Sequence, residues 1–274
     1  YSDVGVAPLA MGGLTDGVTT RDMAEAYATF PNNGTYTFSR TFTRVTRLVD
    51  GEEVLLLDNP VQQEQAIKPQ TAYYMNELLQ GVFSSGGTAS GHGLSGMHAA
   101  GKTGTTNDVY DLWFVGYTPY YTAAVWMGYP NNATMPNTTT HVGLWNMVMS
   151  QIHADLPDQD FADPGGQRTV QYCLDSGLLA TEYCEMDPRG SRVATASVFP
   201  EDYPEGQYCT AHTAASVVTV CVDDPVLDEE GNQTGLYHEA GPDCLEASLR
   251  QVCYPDYERA SVGGVVAGDE QYRY

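Results

Sequence analysis

Ala100-Gly101-Lys102-Thr103-Gly104-Thr105-Thr106 is the stretch on which the reading of this chain turns. It leads into two runs of strand character, LWFVGYT at 112–118 and TAAVWMGY at 122–129. Pro119-Tyr120-Tyr121 between them is short enough for a hairpin. The quoted stretch reads as a strand around Gly101–Thr105, with small residues on both sides of Lys102. Such a strand lets an extended peptide lie along it while a cation and two hydroxyls face a terminal carboxylate. Lys102 is one of only two lysines, the other being Lys68. K-T-G alone is three letters, and an ordinary turn into a strand would read the same way.

Working outward, residues 19–30 predict a helix. Thr19 or Thr20 caps it, Asp22 stands in its first turn, and Met23, Ala26, Tyr27 and Phe30 recur at helical spacing. Strands at 41–49 and 53–58 follow around Asp50-Gly51, the first with the alternation of a half-exposed strand. A helix over 69–83 offers Tyr73, Met75, Leu78, Leu79 and Val82 for an inward face and ends at Gly86-Gly87. A last helix over 144–154 is expected to turn Leu144, Met147, Val148 and Ile152 inward. Trp113 and Trp126, on the strands, are expected in the core. The domain reading is one body over 1–155, a linker at 156–168 rich in Pro and Gly, a cysteine-bearing module over 169–258, and a flexible tail at 259–274.

Composition narrows the function. Lys plus Arg total 12 against 35 for Asp plus Glu, a net charge of −23, which argues against nucleic acid and against anionic lipid as partners. The 42% hydrophobic content supplies a core. No apolar run reaches the ~18 residues of a membrane span. The text opens mid-phrase at Tyr1-Ser2-Asp3, so it is expected to be part of a longer protein whose N-terminal anchor lies outside it.

The six cysteines, Cys173, Cys184, Cys209, Cys221, Cys244 and Cys253, all fall after the expected linker, and none forms a C-x-x-C pair. An even number in a loop-rich segment reads as disulfides in an oxidising compartment, with Cys173–Cys184 the first bridge expected. Cys209-Thr210-Ala211-His212 could give two zinc ligands, but nothing in the spacing selects the other two, so no metal and no cofactor are expected. Val170-Gln171-Tyr172-Cys173-Leu174-Asp175 faintly echoes Val218-Thr219-Val220-Cys221-Val222-Asp223.

Taken together, the helix at 69–83, Gly86-Gly87-Thr88, AGKTGTTND at 100–108 and DLWFVGYTP at 111–119, with the strand ending AVWMGY, resemble a penicillin-binding protein. More narrowly they resemble the C-terminal half of the transpeptidase domain of a class A, bifunctional member. PLAMGGLTDGVTTRDMAEAYATFPNNGTY at 8–36 resembles the same family, and the likeness covers about residues 5–155. The cysteine module is similar, more loosely, to extensions on some Gram-positive members. The resemblance implies an α/β fold, an antiparallel sheet covered by helices, here partial and carrying a small disulfide-linked appendage. It implies serine acyl transfer on the D-Ala-D-Ala end of a peptidoglycan stem peptide, inhibition by β-lactams, and a site at the outer face of the bacterial membrane. It also implies an N-terminal glycosyltransferase domain, in sequence outside these residues. Carried over, Lys102 shapes the field around the substrate, Thr103, Gly104 and Thr105 line it, the two hydroxyls hold the carboxylate, and the Thr105 amide is one oxyanion donor.

One departure is plain. Residue 65, three before Lys68, is Gln, and residue 99, three before Lys102, is Ala, so no S-x-x-K exists here, and no serine starts an S-x-N. The nucleophile is therefore expected upstream of Tyr1. Alternatives are a serine β-lactamase or D,D-carboxypeptidase, against which the 41–58 insertion and the tail argue, and a non-catalytic wall-binding module. His92 and His98 read as loop histidines, Asp108 and Asp111 as turn residues, and the acidic run from Asp223 to Glu230 as a solvated turn.

Overall fold

Thr19 closes a capping box at the first helix. Its hydroxyl accepts from the Asp22 amide at 3.1 Å, and the Asp22 carboxylate accepts from the Thr19 amide at 3.0 Å. Hydrogen bonding to Thr19 holds the Asp22 carboxyl below its ordinary range. This helix, α1 (Thr20–Tyr27), leads into β1 (Thr35–Thr37), β2 (Arg44–Val49), β3 (Glu52–Asp58), β4 (Gln63–Gln65), α2 (Pro69–Gln80), β5 (Ala100–Thr105), β6 (Asp111–Tyr117), β7 (Thr122–Gly128) and α3 (Thr140–Ile152). The structure is a computed structural model that describes residues 12–136 and 138–255. It divides into two compact units between Pro164 and Gly165.

The first unit is organised on an antiparallel sheet of order β5-β6-β7, in which Lys102 faces Val115 and Gly104 faces Trp113 across the ladder. Alternate strand residues point to opposite faces, so Phe114 and Tyr117 enter different cores. Phe114 meets Ala89, Val142, Trp145 and Met149, and the Trp145 indole donates to the Gly116 carbonyl at 3.0 Å. Tyr117 meets Leu79, Ala100 and Phe161, with Tyr27, Phe30 and Met75 beside them. Its hydroxyl donates to Asn76 Oδ1 at 2.9 Å, and the Asn76 amide donates to the Phe30 carbonyl at 3.2 Å. Burial pushes the Tyr117 hydroxyl well above the ordinary phenol range.

Three expectations are corrected in this unit. First, α3 buries His141, Val142, Trp145 and Met149, while Leu144, Met147, Val148 and Ile152 are exposed. The reason is the Trp145 indole, which reaches Gly116 only from that side of the helix. Leu78 of α2 is likewise exposed, and the buried row there is Ala72, Asn76 and Leu79. Second, the hairpin of β2 and β3 forms around Asp50 (φ 53°) and Gly51 (φ 87°), as a two-residue primed turn requires, but both its strands are exposed throughout. Third, Trp126 is 43% exposed and its indole donates to Asp111 Oδ1 at 2.8 Å, so Asp111 ties down a strand rather than a turn.

The second unit holds β8 (Arg168–Cys173), β9 (Val193–Val198), β10 (Val217–Leu227), β11 (Gln233–Glu239) and β12 (Leu249–Cys253). β8 pairs with β9, and β10 lies between β11 and β12, all antiparallel. Asp228 caps the β10–β11 turn, accepting from the amides of Glu230 and Asn232. One of the expected disulfides is present, between two of the six candidates. Cys221 is bonded to Cys244, whereas Cys173, Cys184, Cys209 and Cys253 are free and buried, with no bond joining Cys173 to Cys184. The two cysteines of the sequence echo thus differ: Cys221 is cross-linked, and Cys173 stands beside Cys184, Cys209 and His212. The tail at 259–274 lies outside the described residues.

Candidate functional site

β5 is an edge strand among the described residues, hydrogen-bonded on one side to β6. Its glycines are explained by its own neighbours. A Cβ added at Gly101 would lie 2.8 Å from Phe114 Cζ and 2.9 Å from the Val115 carbonyl, and one at Gly104 would lie 3.2 Å from Trp113 Cβ. The strand therefore packs closely on β6, and among the described residues its other edge pairs with no strand. Lys102 and Thr105 are exposed on this edge, and Thr103 and Gly104 are half-buried. The Lys102 ammonium donates to the Thr103 carbonyl at 2.9 Å.

The structure divides the two threonines expected to act alike. The Thr103 hydroxyl donates to the Thr88 hydroxyl at 2.9 Å, while Thr105 stays exposed. Thr88 is the residue that reading by motif missed, though it stood in the Gly86-Gly87-Thr88 stretch. A Cβ at Gly87 would lie 2.3 Å from the Val82 carbonyl, so the chain can turn back toward β5 there only with glycine. Beyond Thr105 the strand bends at a tight turn. Thr106 Oγ1 accepts from the Asp111 amide at 2.9 Å, and Val109 adopts φ 55°. Thr106, Asp111, Trp113 and Trp126 then line a groove beside that end of the sheet.

The other polar candidates stand apart from this strand's chemistry. His98 lies 3.4 Å from Asp160 and 4.0 Å from Asp158, all three side chains exposed. The His92 carbonyl accepts from Asn146, anchoring the loop to α3. Asp108 is exposed in the turn.

A profile described as the penicillin binding protein transpeptidase domain matches residues 2–142. This chain belongs to the penicillin-binding transpeptidase family. Penicillin-binding protein 1A of Clostridium botulinum is 37% identical over 190 residues, covering 69% of this chain and 23% of that protein. Penicillin-binding protein 4 of Bacillus subtilis is 39% identical over 121 residues, 44% of this chain and 19% of that protein. Penicillin-binding protein 1A of Haemophilus influenzae, a solved structure, superposes with a TM-score of 0.51 at 18% identity, over 70% of this chain and 33% of that one, a likeness of fold. The chain thus spans about a quarter of the length of the clostridial relative. Within the family match lies β5, with its open edge and its Lys102-Thr103-Gly104 sequence.

Proposed function

We propose that β5 is the strand along which a peptidoglycan stem peptide ending in D-Ala-D-Ala lies during D,D-transpeptidation, and along which a β-lactam lies when it acylates the enzyme. The observation that carries this reading is an open edge strand bearing K-T-G inside the family match. Lys102 places an ammonium beside the substrate carboxylate, and the exposed Thr105 hydroxyl binds the same group. The Thr105 amide gives one of the two donors that stabilise the tetrahedral oxyanion. Thr103 shares its hydroxyl with Thr88 and so fixes the strand against the preceding loop. These 274 residues contain no S-x-x-K, so the serine that attacks the carbonyl is no part of the assignment. The acyl-enzyme passes to an amine of a second stem peptide. Such substrates place the site at the outer face of the bacterial membrane, and the class A relationship adds a glycosyltransferase domain. Among the described residues no helix is long and apolar enough to cross a membrane.

The test is acylation of the complete transpeptidase by a labelled β-lactam. Lys102→Ala should slow it about 10²–10³-fold, the range for loss of a preorganised electrostatic group. The melting temperature should hardly move, because Lys102 is exposed. Acylation of folded Lys102→Ala at the wild-type rate would make K-T-G here an ordinary strand edge.

A further inference from the structure

The second unit brings four buried side chains to one point from three segments. Cys173 ends β8, Cys184 stands in the helical turn Glu182–Met186, and Cys209 and His212 come from the loop that precedes β10. Their four ligand atoms, three Sγ and the His212 Nδ1, all lie within 4.8 Å of one another, and all four residues are buried. His212 Nδ1 is 3.4 Å from Cys173 Sγ and 3.6 Å from Cys209 Sγ. Zinc bonds of ~2.3 Å to sulfur and ~2.0–2.1 Å to nitrogen, at tetrahedral angles, put the two ligand atoms about 3.5 Å apart. The two Nδ1–Sγ separations are those of such an edge.

We propose that Cys173, Cys184, Cys209 and His212 bind one zinc ion as a closed structural Cys₃His site.

The surrounding groups are those a zinc site needs. The other nitrogen of His212, Nε2, lies 3.0 Å from Asp187 Oδ2, a carboxylate that accepts its N–H, and this turns Nδ1 toward the sulfurs, as in a metal-bound imidazole backed by a carboxylate. Asp187 is itself buried and is held by Arg189, whose Nη2 and Nε donate at 2.7 and 2.9 Å. Arg189 and Arg192 also engage Asp175, which fixes the wall behind the histidine. Two sulfurs already accept amide hydrogen bonds, Cys184 from Thr181 at 3.4 Å and Cys209 from His212 at 3.3 Å, as thiolates do. A disulfide between any two of the three thiols would leave the third as a lone buried thiol beside the sulfur-facing side of the imidazole. Odd number and closure favour the metal. With four protein ligands there is no open position for a substrate, so the ion is structural. Binding releases three thiol protons to solvent and joins three segments whose own core is little more than these cysteines, Ala211, Ala180 and Val193. Cys253 is also a buried thiol, but it faces the Thr213 carbonyl at 3.5 Å and is no ligand.

The experiment is metal analysis of the 274-residue chain purified without chelator. One zinc per chain is expected, falling to background in Cys209→Ser and in His212→Ala, and kept in Cys253→Ser. Cobalt in place of zinc should give the intense visible bands of a tetrahedral site with thiolate charge transfer. Should the variants fail to fold, the unaltered protein still decides. Alkylation mapped by mass spectrometry should find Cys173, Cys184 and Cys209 protected before a chelator and labelled after it. A metal-free chain, a mapped disulfide between any two of these three, or full zinc content in folded Cys209→Ser would each overturn the proposal.

Discussion

His141 stands buried in the first turn of α3, and among the described residues its Nδ1 has no hydrogen-bond partner. Burial lowers its pKa below the ordinary imidazole value, and neighbouring His92 lowers it further. The folded imidazole therefore takes up its proton at lower pH than the unfolded one, which does so below about pH 6.5. Where the unfolded state binds the extra proton, stability falls as pH falls. Unfolding followed in urea should therefore show stability lost from about pH 6.5 downward, with that part of the slope absent in His141→Leu. Identical slopes for the two proteins would mean that another group carries the acid sensitivity. At this scale the sequence placed Lys102 on its strand because that context is local. It could not identify Thr88 as the partner of Thr103, or Cys173 and Cys184 as the companions of His212, because those meetings depend on how distant segments fold back.

The elements show where periodicity is informative and where it is blind. Helices at the expected places formed because their apolar spacing and, for α1, the Thr19–Asp22 cap are written in consecutive residues. The face that α3 buries was not so written, since Val142, Trp145 and Met149 make as good a helical row as Leu144, Val148 and Ile152. The sheet makes the choice. Gly116 leaves space that Trp145 fills, for a Cβ there would lie 2.5 Å from the indole. Trp145 also packs on Phe83 and Phe114, with ring centroids 5.6 and 5.2 Å away. Trp145→Ala should thus cost about 3–5 kcal/mol by denaturant unfolding. Val148→Ala, on the exposed row, should stay within about 0.5 kcal/mol. The reverse ranking would restore the face expected from sequence. Exposure of β2 and β3 on both faces has the same lesson: alternation in 41–49 describes a strand but does not supply the layer that would cover it.

Across the whole molecule the two units are held by different means. The first has aromatic cores on either face of its sheet. The second relies on cross-links, because its buried cluster around Cys173, Cys184 and Cys209 is small and its carboxylates Asp175 and Asp187 must be neutralised by Arg189 and Arg192, in a chain whose net charge is −23. A small core of that kind needs covalent or metal staples. The Cys221–Cys244 disulfide spans 23 positions and joins the middle of β10 to the loop before β12. A loop of that order, by the chain-entropy account, is worth about 3 kcal/mol. The double substitution Cys221→Ala with Cys244→Ala removes it without touching Cys173, Cys184, Cys209 or His212, so zinc content should persist. Hydrogen exchange followed by mass spectrometry should then quicken in β10, β11 and β12, which the bridge constrains, and remain at its wild-type rate in β5, β6 and β7. Unchanged exchange in β10–β12 would show that strand pairing alone holds that sheet. Faster exchange in β5–β7 as well would show that the two units do not unfold separately.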